Sequence, residues 1–168
     1  MRAVTGQMQY SVLLVLVLLS ACGYQLRGSA ALPGVMAVTH VQGLRPYSTL
    51  VTDFSHALRT RSVTVTNDPA AATAILTITG NNTEKLVLSV DTLGNVLEYE
   101  IRQTIRFGVS GPDRKPLLEE QSITLSRDFL FTSTDVLAKA REEKLVRRTL
   151  QESLVNLAML RIASVGRK

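Results

Sequence analysis

The sequence predicts an α+β fold: two helices packed on one face of a mostly antiparallel β-sheet, a two-layer sandwich. Three observations lead there. Two segments, 47–61 and 134–164, carry apolar residues at spacings of three and four, the period of a half-buried helix. Between them, residues 97–109 alternate, with Leu97, Tyr99, Ile101, Ile105, Phe107 and Val109 on one side and Glu98, Glu100, Arg102, Thr104 and Arg106 on the other. That is the period of a strand with one covered face and one polar face. Finally, the order β-α-β-β-β-β-α groups the long strands together, joined by turns short enough for hairpins.

Residues 23–34 read as an extended leader closed by a Pro33-Gly34 turn, and Val35 to Val41 as the first strand. In the helix over 47–61, Leu50, Val51, Phe54, Ala57 and Leu58 share a face, and Ser48 is the expected N-cap. Val63 and Val65 mark a short second strand ended by Asn67-Asp68-Pro69. Ala74 to Thr79 is a third. Gly80-Asn81-Asn82 is a bulge or bend, after which Leu86, Leu88 and Val90 are expected to resume the apolar face. Asp91 to Asn95 supplies a hairpin loop with Gly94 free to take positive φ. Only Gln103 interrupts the apolar row of the strand that follows. Gly111-Pro112-Asp113 turns the chain into a last strand, Leu117 to Phe129, with Ile123, Leu125 and Phe129 inward. The closing helix starts at Thr134-Asp135 and runs to about Ser164. Its apolar stripe is Val146, Leu150, Leu154, Leu157 and Ile162, and Glu143 with Arg147 forms an (i, i+4) pair in the favourable order.

The N-terminus carries a different signal. The apolar run Val12 to Leu19 is too short to span a bilayer and matches a signal-peptide core. It leads into Leu19-Ser20-Ala21-Cys22, the pattern of a bacterial lipobox. A lone cysteine is more often a buried thiol, but this one follows small residues at a leader's end. Residues 1–21 are therefore expected to be removed and residues 22–168 to form one periplasmic domain. Cys22 would receive an S-diacylglycerol and an N-acyl (palmitoyl) chain. Two or three chains anchor a protein effectively for good, where one holds marginally. The leader's single basic residue, Arg2, is fewer than usual. Gly23 in place of Asp favours the outer membrane.

Charge and composition limit the function classes. The chain has a net charge of +5, and loss of Arg2 with the leader reduces this by one. A small basic excess suits an anionic surface or ligand, and solubility alone equally. Nucleic acid is not an expected partner in the periplasm, and without tryptophan there is no evident stacking platform. His40 and His56 are the only histidines; Asp53 and Ser55 near His56 do not make a catalytic arrangement by such local spacing. No metal-ligand spacing and no phosphate-binding Gly-rich loop occur, so no catalytic residue, metal or cofactor is expected.

Three segments resemble one known family. Cys22-Gly23-Tyr24-Gln25-Leu26-Arg27-Gly28 resembles the mature start of the lipopolysaccharide-assembly lipoproteins, the LptE family. Asp91 to Tyr99 is similar to the family's hairpin, where a glycine turn precedes a Glu-Tyr strand start. Leu137-Ala138-Lys139, with Glu142 and Glu143, is similar to the opening of its last helix. The resemblance implies a non-catalytic subunit of an outer-membrane complex with the β-barrel LptD, in whose lumen it sits as a plug. It would support barrel assembly and bind lipopolysaccharide in transit to the outer leaflet, lipid-anchored on the periplasmic side. The alternative is a free-standing periplasmic lipoprotein for another envelope ligand. Lys139 holds the place of a family lysine linked with lipopolysaccharide. The family arginine before the hairpin glycine is replaced by Thr92 and Leu93, so Lys85, Arg102 or Arg106 would have to supply cations instead. Gly23, Tyr24, Leu26 and Arg27 form the start motif.

The leader reading has a direct check. Native protein should show, by mass spectrometry, an N-terminus at residue 22 carrying acyl chains, and Cys22→Ala should leave the chain unlipidated. A free thiol at Cys22 with the leader still attached would refute it.

Overall fold

A computed structural model describes residues 31–131, apart from Leu44 and Pro46, and residues 136–165, with no side-chain description for Val136. The elements are β1 (Val38–Gly43), α1 (Thr49–Arg59), β2 (Thr64–Thr66), β3 (Ala74–Val90), β4 (Val96–Ser110), β5 (Pro116–Leu130) and α2 (Val136–Val165). Short 3-10 turns occupy Gly34–Met36 and Pro69–Ala71. The α+β class and element order are those expected. The sheet, however, is mixed, in the order β2-β1-β3-β4-β5. β1 pairs in parallel with both β2 and β3, and only the β3-β4-β5 hairpins are antiparallel. The reason lies in the connection: α1 crosses over between β1 and β2, and a crossover of that kind returns the chain in the same direction.

Both helices cover one face. Phe54 and Leu58 of α1 meet Leu76, Ile78, Ile105, Phe107 and Ile123 of the sheet and Leu154, Ala158 and Ile162 of α2 in one buried cluster. The rings of Phe54 and Phe107 lie 6.1 Å apart at its centre. Ser48 caps α1 by accepting from the Val51 N–H at 3.4 Å. Tyr47 lies outside the helix, in the left-handed region at φ 64° and 96 % exposed. The first strand begins later than expected because Gly34–Met36 forms a turn that buries Met36. Gly94 takes φ 84° in the β3-β4 hairpin, where Asp91 accepts hydrogen bonds from Leu93 and Asn95.

Three inward assignments differ from expectation. The bulge in β3 falls between Ile78 and Gly80, one residue before the predicted stretch. It reverses the strand's facing, so Asn81, Thr83 and Lys85 point towards the helices. Leu86 lies opposite Glu100 on the other face, and Leu88 and Val90 are exposed. Leu97, near the open end of the sheet, is exposed as well. On α2, Leu157 is 38 % exposed, while Val155, Ala158, Met159 and Ala163 are buried. The helix packs on α1 as well as on the sheet, so its buried stripe is broader than a single row of leucines. Leu154→Ala should therefore cost about 2–5 kcal/mol in chemical denaturation, and Leu157→Ala no more than about 0.5 kcal/mol. Equal losses would contradict this packing.

Candidate functional site

The bulge decides what the helices cover. Before it, β3 sends Ala74, Leu76 and Ile78 into the core. After it, the same strand turns Asn81, Thr83 and Lys85 to the helix-bearing side, where all three stay exposed beside the first half of α2. Gln103 of β4 is 3 % exposed there and donates to the Asn81 carbonyl oxygen at 2.9 Å. That bond satisfies the one amide in the apolar row.

Lys85 is engaged by an acid and by aromatic rings at once. Its Nζ is 2.7 Å from Glu143 Oε2, and Glu143 Oε1 takes the Arg147 guanidinium at 2.6 Å. The same ammonium lies 4.0 Å from the Tyr99 ring centre, 5.6 Å from Phe129 and 5.9 Å from Phe131. Cation–π attraction and a charge-assisted bond thus tie β3, β4 and β5 to α2. Burial works against ionisation of Glu143, but the hydrogen bonds from Lys85 and Arg147 outweigh it. They hold its carboxyl below the ordinary value. Lys139, one turn earlier, is paired with Glu142 at 2.7 Å.

Arg102 and Arg106 lie on the opposite face of the sheet, which no helix among the described residues covers. Arg102 is 2.6 Å from Glu100. The Arg106 guanidinium lies across Gly80, where a Cβ would stand 2.6 Å from Nε; any larger residue at 80 would displace it. On this face Arg102, Thr104 and Arg106 are in register with Ser126, Thr124 and Ser122 of β5, and the two threonine hydroxyls are 2.8 Å apart. The four cations nominated from sequence therefore do not converge: two are neutralised on the helix side and two lie on the far side. Cys22, Gly23, Tyr24, Leu26 and Arg27 lie outside the described residues, as does the Thr134-Asp135 helix start.

A different set does converge. Arg141, Lys144 and Arg148 recur on α2 at intervals of three and four and overhang Asn81, Thr83 and Gln103. They bound an open groove of about 560 Å³ whose described lining contains no acid. Arg148 reaches out to Glu152 at 2.8 Å, and that bond, with Asp53 nearby, holds its guanidinium more firmly protonated. Arg141 and Lys144 have no acidic partner among the described residues. The basic spacing was visible in the sequence, and so was a bulge near Gly80; its position one residue earlier, which turns polar side chains towards α2, was not. Among the described residues, no group of three or more His, Cys, Asp and Glu is placed to hold a metal.

A family model described as LptE, lipopolysaccharide-assembly, matches residues 37–162. The chain belongs to the LptE family. It has a role in lipopolysaccharide assembly. Among curated relatives, the LPS-assembly lipoproteins LptE of Photorhabdus laumondii and Pectobacterium atrosepticum are each 23 % identical, over 90 % and 91 % of this chain and 82 % and 83 % of theirs. A solution structure of a lipoprotein B from Nitrosomonas europaea is 26 % identical with a TM-score of 0.73, over 86 % of this chain and 94 % of that one. The rare lipoprotein B of Shewanella oneidensis shares the fold, at 24 % identity and a TM-score of 0.66, over 76 % of this chain and 94 % of that one.

The Lys85 clamp predicts a pH signature. Because the native pKa of Glu143 is depressed below 4.5, its contribution is complete above that value and fades as pH falls through the native pKa. Lys85→Ala should cost about 1–2 kcal/mol at neutral pH by urea unfolding, and progressively less as the pH falls through the lowered pKa of Glu143. A penalty that persists undiminished in acid would show that the pair contributes little.

Proposed function

We propose that this LptE-family chain is an outer-membrane lipoprotein, anchored through Cys22, that occupies the lumen of the LptD barrel. There it supports barrel assembly and binds lipopolysaccharide on its way to the outer leaflet. The observation that carries the reading is the uncovered face of the sheet. Three strands of 15 to 17 residues present hydroxyls, amides and charges there, with no helix among the described residues above them. An apolar face left bare would call for a greasy partner or a membrane. A polar one suits a water-filled channel whose wall offers hydrogen-bonding groups. The size of the domain and an anchor at one end of the chain support the same reading.

The nominated lipopolysaccharide contacts divide accordingly. Lys139 and Lys85 belong to the helix side, and each is already engaged by a glutamate. They would contribute to ligand binding by exchanging those partners. Arg102 and Arg106 belong to the uncovered face and fit a barrel contact better than a ligand site. Tagged full-length protein, extracted in detergent from outer membranes, should bring down a large β-barrel in stable, near-stoichiometric amount, and depletion should lower surface lipopolysaccharide. Recovery of a monomer with no barrel would favour the free-standing lipoprotein instead.

A further inference from the structure

We infer that the apolar pocket between the start of β5 and the end of α2 holds the chain's own N-terminal segment, with Leu26 seated in it and the Tyr24 ring against its mouth. This goes beyond the reading above: it fixes where an anchor at Cys22 stands relative to the domain, and it needs no barrel.

The pocket lies where the sandwich closes at one end. Val35 and Met36 of the Gly34–Met36 turn, Val109 of β4, Leu117 and Leu118 of β5 and Ile162 of α2 line it, and no polar side chain appears in its described lining. Its deep wall is core, with Met36, Val109 and Ile162 at most 3 % exposed, whereas Val35 at the rim is 42 % exposed. The volume is about 210 Å³. An apolar cavity of about 150 Å³ takes up a benzene-sized group, so this one has room for one branched or aromatic side chain and part of a second. Filling it removes apolar surface from water on both sides of the contact.

Sequence and tether length point to the occupant. Between Cys22 and Ala31, Tyr24 and Leu26 are the large apolar side chains. Their spacing of two places both on one side of an extended segment, with Gln25 and Arg27 on the other. The chain enters the described domain beside the pocket: Leu32 packs against the core cluster, and Pro33, next in line, is part of the pocket wall. Leu26 precedes Leu32 by six residues, a reach of up to about 20 Å. Gly28, Ser29 and Ala30 intervene, small residues suited to a reversal. A segment tethered this closely has an effective concentration in the millimolar range, far above that of a second copy.

Seating Leu26 pins Cys22, four residues upstream, within about 13 Å of the pocket mouth. From Val109 at the pocket to Val96 at the β3-β4 hairpin, β4 spans about 43 Å. The anchor therefore leaves from one end of the sandwich while the hairpin stands at the other. Unseated, the whole stretch from Cys22 to Leu32 would be tether, and the domain would take any orientation to the membrane.

The test uses the full-length lipoprotein purified from membranes in detergent, with Gln25→Cys, Leu26→Cys or Arg27→Cys introduced singly. Each is alkylated with a maleimide under native conditions, and labelling is read by peptide mass spectrometry so that Cys22 is counted separately. Cysteine behaves as a small apolar side chain, so L26C keeps the preference for the pocket. L26C should react at least about tenfold more slowly than Q25C and R27C. Protection by the micelle would not give this pattern, because position 25 is closer in sequence to Cys22 than position 26 is. Adding Val35→Asp at the exposed rim, or Val165→Asp on the α2 side of the pocket, should bring the L26C rate to within about twofold of Q25C. Melting temperatures identify which of the two aspartate variants keeps the fold. The proposal is overturned if the three thiols react alike, if L26C stays protected beside either aspartate, or if its protection falls on dilution, which would make the occupant a second copy. Labelling of Cys22 itself would defeat the anchor reading, while the comparison across 25–27 still decides the pocket.

Discussion

Between Ile78 and Gly80 the pairing of β3 with β4 slips by one residue, and the character of the whole sandwich changes at that point. Side chains on a strand alternate with period two, so one inserted residue moves every later side chain to the opposite face. Ala74, Leu76 and Ile78 lie in the core; Leu86 lies on the outer face with Glu100. The helix-bearing face is therefore apolar and buried over one half of the sheet, while over the other half β3 places exposed polar side chains beside α2. The Lys85 clamp, the Asn81–Gln103 amide pair and the cationic groove all occur on that polar half.

The two halves are held by different forces. Around Phe54 and Phe107 the core closes by burial of apolar surface, which has no preferred direction and tolerates small adjustments. Under the first half of α2, among the described residues, Ile101, Phe129 and Leu150 form a small buried cluster with Tyr99, Leu125 and Val146 packed against it. The remaining cohesion comes from directional contacts: Glu143 between Lys85 and Arg147, and the Lys85 ammonium among three rings. Such contacts fix geometry while adding modestly to stability. The α1–α2 contact is reinforced the same way, by Gln151 donating to Asp53 at 2.6 Å. A segment positioned by polar contacts keeps its outward side chains in register without a large core beneath them.

Legibility in the sequence followed the range of the interaction. The strand alternation over 99–109, the Ser48 cap, the Gly94 turn and the Glu143–Arg147 pair are set by neighbours a few residues apart, and the structure shows each of them. The parallel pairing of β1 is set by α1 crossing the sheet, which no local pattern encodes. Leu86 and Leu88 follow an alternation that is correct for a regular strand; the bulge one residue earlier than expected inverts it. Leu157 fits a helical stripe, yet α1 lies beside α2 and draws Val155 and Met159 inward. The nominated cations were chosen singly, by type and by resemblance. Whether a cation is free depends on which acids reach it, and Glu143, Glu142 and Glu100 reach Lys85, Lys139 and Arg102 through the folded structure.

The bulge also separates the molecule's two polar surfaces in space. Arg102, Thr104 and Arg106 point away from the helices, while Asn81, Thr83 and Gln103 point towards them, from the same pair of strands. Without the inserted residue, Asn81, Thr83 and Lys85 would join the arginines on the outer face, and Leu86 and Leu88 would turn inward. The sandwich would gain core and lose the polar floor beneath α2. A regular strand would thus make a more stable protein with one polar surface; the irregular one makes a protein with two, each backed by the rigidity of a shared sheet.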